Sequence, residues 1–174
     1  MSAIQVRDGK DVWEVRFEDI RKYHGELALM AVAVGFRSQQ AAFRVLYGDS
    51  AVERKAISVV SGHAGPGFRD AFEYVTRAVS RGAYQVDTDY PRGQYDPYRP
   101  QSYAFVIKGE GAGAVEVVLK EHFLPREFYD FLKKGREGTT TEQDAEVFGR
   151  LKLELAERAL ALPEQELLDV RKIG

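Results

Sequence analysis

Ala56-Ile-Ser-Val-Val60, Ser61-Gly-His-Ala-Gly-Pro-Gly67 and Phe68-Arg-Asp-Ala-Phe-Glu-Tyr-Val-Thr-Arg-Ala-Val79 follow one another without a break, and their reading decides the fold. The first is a β-branched run of strand length. The second is a turn-forming segment dense in glycine. In the third, Phe68, Ala71, Phe72, Val75 and Val79 fall on one helical face. Downstream, Ala83-Tyr-Gln-Val86, Ser102 to Ile107 and Ala114 to Leu119 read as further strands, the last two joined as a hairpin through Lys108-Gly-Glu-Gly-Ala-Gly113. Too few helices separate these strands for a doubly wound sheet. The order therefore predicts an α+β fold with a small, partly antiparallel sheet.

Upstream lies the element expected to pack that sheet. From Glu26 to Leu46 the chain is rich in Ala, Leu, Val and Met, and eight apolar residues run from Leu27 to Val34 before Arg37, Gln39 and Gln40 supply a polar face. This predicts a long helix, buried on all sides in its first half. Gly35 inside it costs about 1 kcal/mol against alanine, which close packing of a neighbouring element would justify. A short helix beginning at Phe17 leads to Tyr23-His24-Gly25, and residues 1 to 16 read as mixed and polar apart from Val12, Trp13 and Val15.

The C-terminal part reads as helical. Pro125 opens Arg126 to Lys134, a turn is expected at Gly135 to Gly138, and Thr139 with Glu142, or Thr140 with Gln143, offers a capping box. Phe148, Leu151, Leu155, Ala159 and Leu162 then form one apolar stripe that stops at Pro163, and Leu167, Leu168, Val170 and Ile173 dock the tail. The expected organisation is an α+β core over 1–134 and a helical C-terminal extension over 135–174.

Composition limits the functions open to this chain. At 174 residues, with 44% hydrophobic and 30% charged residues, it is long enough for one stable core. Twenty-five Lys and Arg against 27 Asp and Glu give no basic excess for nucleic acid. The absence of cysteine removes disulfides, thiolate nucleophiles and Cys-based zinc sites. The longest apolar run is too short for a membrane span of about 20 residues, and the N-terminus is not a basic-then-apolar signal, so a cytoplasmic location is the expectation.

Three segments could carry chemistry. His24 and Glu26, two residues apart before the apolar helix, are acceptable ligands for a divalent metal such as zinc; equally, Glu26 could complement the helix dipole with His24 exposed before it. In Ser61 to Gly67, glycines between a strand and a helix N-terminus allow backbone N–H groups to approach a phosphate or carboxylate, with Gly62, Gly65 and Gly67 as the contacts and His63 beside them. The segment lacks the Lys-Ser/Thr pair of a Walker loop, and a tight strand-to-helix connection accounts for it as well. Finally, Tyr84, Tyr90, Tyr95, Tyr98 and Tyr103 accompany Arg81, Arg92 and Arg99 around a loop holding three prolines. Tyr95 and Arg99 could stack on a planar ligand, or the loop could cover a sheet edge or a dimer surface.

Phe17 to Gly25, the Ala-rich helix through Gly35-Phe-Arg37, the Ala56 to Val60 strand, Asp70-Ala71, the Tyr103 to Ile107 strand and the closing Leu162-Pro163 together resemble the E-subunit family of formylmethanofuran dehydrogenase. That family typically begins the long helix with a His-Gly-His-x-Cys-Pro-Gly type motif and carries further cysteines near the Asp-Ala pair, residues associated with a bound metal. Here His24-Gly25 matches the motif's start, Glu26 stands at the second His position and Ala28 at the Cys position, and no cysteine lies near Asp70-Ala71. The resemblance implies an α+β domain, an association with one-carbon or molybdenum/tungsten enzyme systems, dimerisation, and either a lost metal or one rebuilt on His24, Glu26 and His63.

The sequence thus leads to an accessory protein, expected as a homodimer, that binds a small molecule or divalent ion where the helix start at His24 meets the loop at His63. A hydrolase or transferase acting on an anionic metabolite, with His24 or His63 as general base, uses the same residues. A non-catalytic subunit docking a larger complex through the tyrosine-rich loop is the third expectation.

Overall fold

The computed structural model describes residues 3–174. The chain opens with an antiparallel hairpin, β1 (Ile4–Asp8) and β2 (Asp11–Val15), in which Asp8 pairs with Asp11 across Gly9, whose φ of +64° needs a glycine. The hairpin departs from the expected polar N-terminus. Its signal is local: Gly9-Lys10, a glycine at the first position of a two-residue loop, stands between Ile4-x-Val6 and Val12-Trp13.

Helix α1 (Phe17–His24) ends at Gly25 and α2 begins only at Leu29, running to Tyr47. The expected start at Glu26 is therefore three residues early. Gly25 at φ +96° and Ala28 at φ +57° break the helical path between the two, so Glu26 lies in the connecting turn and not in a helix's first turn.

After α2 come β3 (Val52–Glu53), β4 (Ile57–Ser61), α3 (Pro66–Thr76), β5 (Tyr84–Val86), β6 (Ala104–Gly109) and β7 (Gly113–Leu119). The C-terminal part holds α4 (Arg126–Glu137), α5 (Glu142–Ala161), α6 (Glu164–Leu167) and β8 (Leu168–Lys172). Strand β3 pairs parallel to β1, completing a three-stranded sheet in the order β2-β1-β3. The larger sheet has the order β5-β4-β6-β7-β8; only β4 and β5 are parallel. The molecule is an α+β fold with two mixed sheets.

One face of the larger sheet meets the helices. Ile57 and Val59, Phe105 and Ile107, and Val115, Val117 and Leu119 join the same buried core as Val32, Phe36 and Phe43 of α2 and Phe68, Phe72 and Val75 of α3. Helices α2 and α3 cross closely: a β-carbon on Gly35 would lie 2.9 Å from that of Ala71, and one on Gly67 would lie 2.7 Å from that of Ala31. Close packing is thus the role of Gly35, as expected. The period-two alternation sends Glu116 and Val118 to the opposite face, where the start of the segment 87–103 lies over the sheet.

Residues 135–174 are built into this core. Helix α5 packs along α2, and β8 adds an edge strand to β7 in the register Val117 with Val170. The expected boundary after Lys134 falls inside α4, which continues past the exposed Gly135 and stops at Gly138 with φ +70°. The capping box of α5 is Thr141 with Asp144: the Thr141 hydroxyl accepts from the Asp144 N–H, and Asp144 accepts from the Thr141 N–H, each at 3.0 Å. Aspartate here takes the place expected of a glutamate or glutamine. No helix among the described residues is long and apolar enough to cross a membrane.

Candidate ligand cavity

The three residues read as a metal set have separate partners. His24 Nδ1 lies 2.7 Å from Asp70 Oδ2 on α3, and Nε2 lies 2.5 Å from the Leu27 carbonyl. Both groups are acceptors, so both hydrogen bonds exist together only when each ring nitrogen carries a hydrogen. The imidazole thus ties the end of α1 to α3 and closes the turn before α2; a metal on either nitrogen would displace one of these bonds. Glu26 is exposed and paired with Arg21 at 2.9 Å. His63 packs its ring against Phe68 and Tyr103, with centroids 4.8 and 4.9 Å away. Among the described residues no group of three or more His, Cys, Asp or Glu is arranged to hold a metal ion.

His63 instead faces a cavity of about 260 Å³ that does not include His24. Its floor comes from the start of α2 (Ala28, Met30, Ala31) and the β4–α3 connection (His63, Gly65, Pro66, Gly67, Phe68). One side is the end of the 87–103 segment, with Arg99, Gln101 and Tyr103; the other is the α4–α5 hairpin, with Phe128, Leu132, Phe148 and Lys152. The wall is mainly apolar and aromatic, which is the ordinary make-up of a small-molecule site.

The polar groups of this region are arranged unusually. His63 Nδ1 accepts from the Gly65 backbone N–H at 2.8 Å. Burial, with the nearby Arg99 charge, pushes the imidazole down to about 3. The ring is therefore neutral near pH 7, its hydrogen sits on Nε2, and it is a poor general base. The Gln101 side chain accepts from Arg99 Nη2 through Oε1 at 2.9 Å, while its Nε2 has no partner. The hydroxyls of Tyr103 and Tyr129 are likewise buried without one, and Asp96 Oδ2 accepts no hydrogen bond, although Arg99 Nε stands 4.0 Å from it. Gln101 is only 2% exposed and Tyr103 1%. The Tyr103 hydroxyl lies near the Gln101 amide without reaching hydrogen-bond geometry. Burial, then the Asp96 charge, holds the Tyr103 hydroxyl well above the ordinary tyrosine value; burial, then Tyr103 and Asp96, does so for Tyr129. An unpaired buried polar group costs about 1–3 kcal/mol, so three together mark a place where stability is not maximised.

Of the five residues read as ligand contacts, Gly65, Gly67 and Arg99 line the cavity. Gly62 does not: it lies against Ser102, where a β-carbon would collide. Gly67 also stands at the α2–α3 crossing, where a β-carbon would lie 3.0 Å from the Ala28 carbonyl oxygen. Tyr95 stands behind the wall, stacked on Tyr103 with centroids 6.4 Å apart and donating to the Leu119 carbonyl at 2.7 Å.

The sequence reading missed Gln101, Phe128, Phe148 and Lys152 as wall residues. Lys152 had a signal: it follows Phe148 by four residues and precedes Leu155 by three, so a charge stands within the apolar stripe of α5. Gln101 had none, because nothing local shows that its amide is buried. No protein-family model matches this chain and no curated protein matches its sequence, so it is the cavity's own geometry that bears on function.

Proposed function

We propose that this protein is a small-molecule binding protein whose ligand occupies the cavity between the start of α2, the β4–α3 connection, the 99–103 segment and the α4–α5 hairpin. One observation carries the proposal: a 260 Å³ apolar cavity is walled by two residues, Gln101 and Tyr103, that hold buried polar atoms with no partner. An engineered apolar cavity of about 150 Å³ accepts benzene, so this one, at about 260 Å³, has room for an aromatic molecule up to the size of indole. Binding without turnover suits the wall, which among the described residues has no Ser, Thr, Asp or Glu and whose histidine is a weak base. Kinship with the E-subunit family of formylmethanofuran dehydrogenase, and with it an accessory role in one-carbon or molybdenum/tungsten systems, draws support from one contact. His24 and Asp70, which lie in two of the segments carrying the resemblance, meet at 2.7 Å.

The test is thermal unfolding with indole, a neutral aromatic probe. A ligand that binds only the native state raises its stability, so indole in excess of its Kd should raise Tm by a few degrees. Leu132→Trp, which fills the cavity, should remove the shift. An unchanged Tm up to the solubility of indole would overturn the assignment.

A further inference from the structure

The charge of the cavity wall narrows the ligand further. Among the described residues no aspartate or glutamate lines it, whereas Arg99 and Lys152 do. The two cations differ. Arg99 is committed, donating to Gln101 Oε1 at 2.9 Å and standing 4.0 Å from Asp96 Oδ2, so its charge is offset locally. Lys152 is half-buried, its Nζ lies 4.5 Å from the centroid of the Phe148 ring, and it forms no ion pair among the described residues. Burial lowers its pKa, the signature of an ammonium held away from water without a counter-charge.

One other polar group on the wall is a donor. His63 presents Nε2–H because Nδ1 is already occupied by the Gly65 N–H, whereas the Gln101 amide nitrogen is fully buried and does not face the cavity. A wall with one uncompensated cation, one unengaged donor and no acid complements an acceptor that carries a single negative charge. The surrounding Met30, Phe68, Phe128, Leu132 and Phe148 require the rest of the ligand to be apolar and exclude a strongly hydrated dianion such as a phosphate ester.

We propose that the ligand is a monocyclic aromatic carboxylate, seated with its ring among Phe68, Phe128 and Phe148 and its carboxylate paired with Lys152. This deepens the proposed function and rests on it, since it assumes that the cavity is the binding site. Lys152 acts as a specificity determinant: it selects the acid over its neutral counterpart.

The experiment compares phenylacetate with phenylacetamide, which has the same shape and no charge, by isothermal titration calorimetry on the full chain. Phenylacetate should bind at least tenfold more tightly than phenylacetamide, and Lys152→Met, which keeps the aliphatic stem over Phe148, should bring the two affinities together. Circular dichroism of Lys152→Met should be that of the parent, because the change replaces an unpaired half-buried charge by an apolar group. Equal affinity for acid and amide, or a preference that survives Lys152→Met, would overturn the carboxylate assignment while leaving the cavity as a site for neutral aromatics. If neither compound binds and indole also fails, both proposals fall.

Discussion

Two regions at the ends of one polar segment, residues 87–103, treat buried polar groups in opposite ways. Near its start, the segment is clamped to the outer face of the larger sheet through Glu116 of β7. That carboxylate is 3% exposed and accepts from the Tyr90 hydroxyl, from Arg92, and from Arg171 of β8 at 3.1 Å. Burial works to raise the Glu116 carboxyl, but the hydrogen bonds from Tyr90 and Arg92 and the two guanidinium charges outweigh it and hold it below the ordinary glutamate value. Near its end, the same segment delivers Gln101 and Tyr103 to the cavity with buried polar atoms that make no hydrogen bond. A fully satisfied cluster is architecture. An unsatisfied one beside a cavity is held at a cost to stability, and it is on this contrast that the proposed binding site rests.

The largest expected effect tests the clamp. Glu116→Ala removes the acceptor shared by a tyrosine and two arginines. The arginines are partly exposed and can rehydrate, so the loss should be about 3 kcal/mol, at the low end for breaking a buried charge cluster. For a chain of this length that lowers Tm by about 6–12 °C in a thermal scan. A loss below about 1 kcal/mol would remove the contrast between the two regions.

Acid should separate the regions next. His63 is neutral when folded, with its pKa pushed from the ordinary 6.5 to about 3. Between these values the unfolded chain takes up a proton that the folded chain refuses, so stability present above pH 6.5 is lost as pH falls, by about 1 kcal/mol per unit. Glu116 starts from an ordinary value of 4.5, and its contribution is lost only below that, as pH falls through its lowered folded value. Urea unfolding from pH 7 to 5 should therefore report the cavity and not the clamp, and His63→Gln should flatten that limb. An equal slope in the variant would detach acid sensitivity from the cavity.

Paired hydroxyl deletions offer a smaller and sharper comparison. Tyr90→Phe loses a bond to a charged acceptor and should cost about 2 kcal/mol, whereas Tyr103→Phe loses a hydroxyl with no partner and should leave stability unchanged or slightly raised. Denaturant midpoints measure both, and similar losses would mean that the Tyr103 hydroxyl has a partner in solution. The smallest effect is expected from zinc: with both His24 nitrogens facing acceptors, added zinc should leave Tm unchanged. A zinc-dependent rise abolished by His24→Ala but not by Leu132→Trp would move the functional weight from the cavity to the α1–α2 turn.

Much of the fold is legible in the chain. The stripes at Phe68, Ala71, Phe72 and Val75 and at Leu155 and Ala159 are the buried faces of α3 and α5, and the runs around Val59, Ile107 and Val117 are central strands. Strand β8 reads in the sequence only as a docking tail. Leu168 and Val170 alternate over too few residues to reveal a strand until β7 supplies its hydrogen-bonding partner. The start of α2 is misplaced by the pattern because apolarity continues through Leu27, which is 79% exposed; the left-handed Ala28, not hydrophobicity, sets the boundary.

The site is legible in part. His63, Gly65, Gly67 and Arg99 reach the cavity, whereas His24, Glu26, Gly62 and Tyr95 find other partners or stand behind the wall. Glycine spacing marks where backbones approach closely, but it does not distinguish a helix crossing from an anion.

By itself the sequence determined the elements that periodicity can encode: a buried helix, its amphipathic partners, the central strands, and the exclusion of cysteine chemistry. Such patterns are local, because each residue's side of a helix or strand follows from its position along the chain. Only the tertiary structure decided that His24 would meet Asp70, that Glu116 would collect its donors, and that Lys152 and Gln101 would line one cavity with His63. Pairing, burial and charge compensation depend on residues 24 to about 90 positions apart, and distances through space are not written in spacing along the chain.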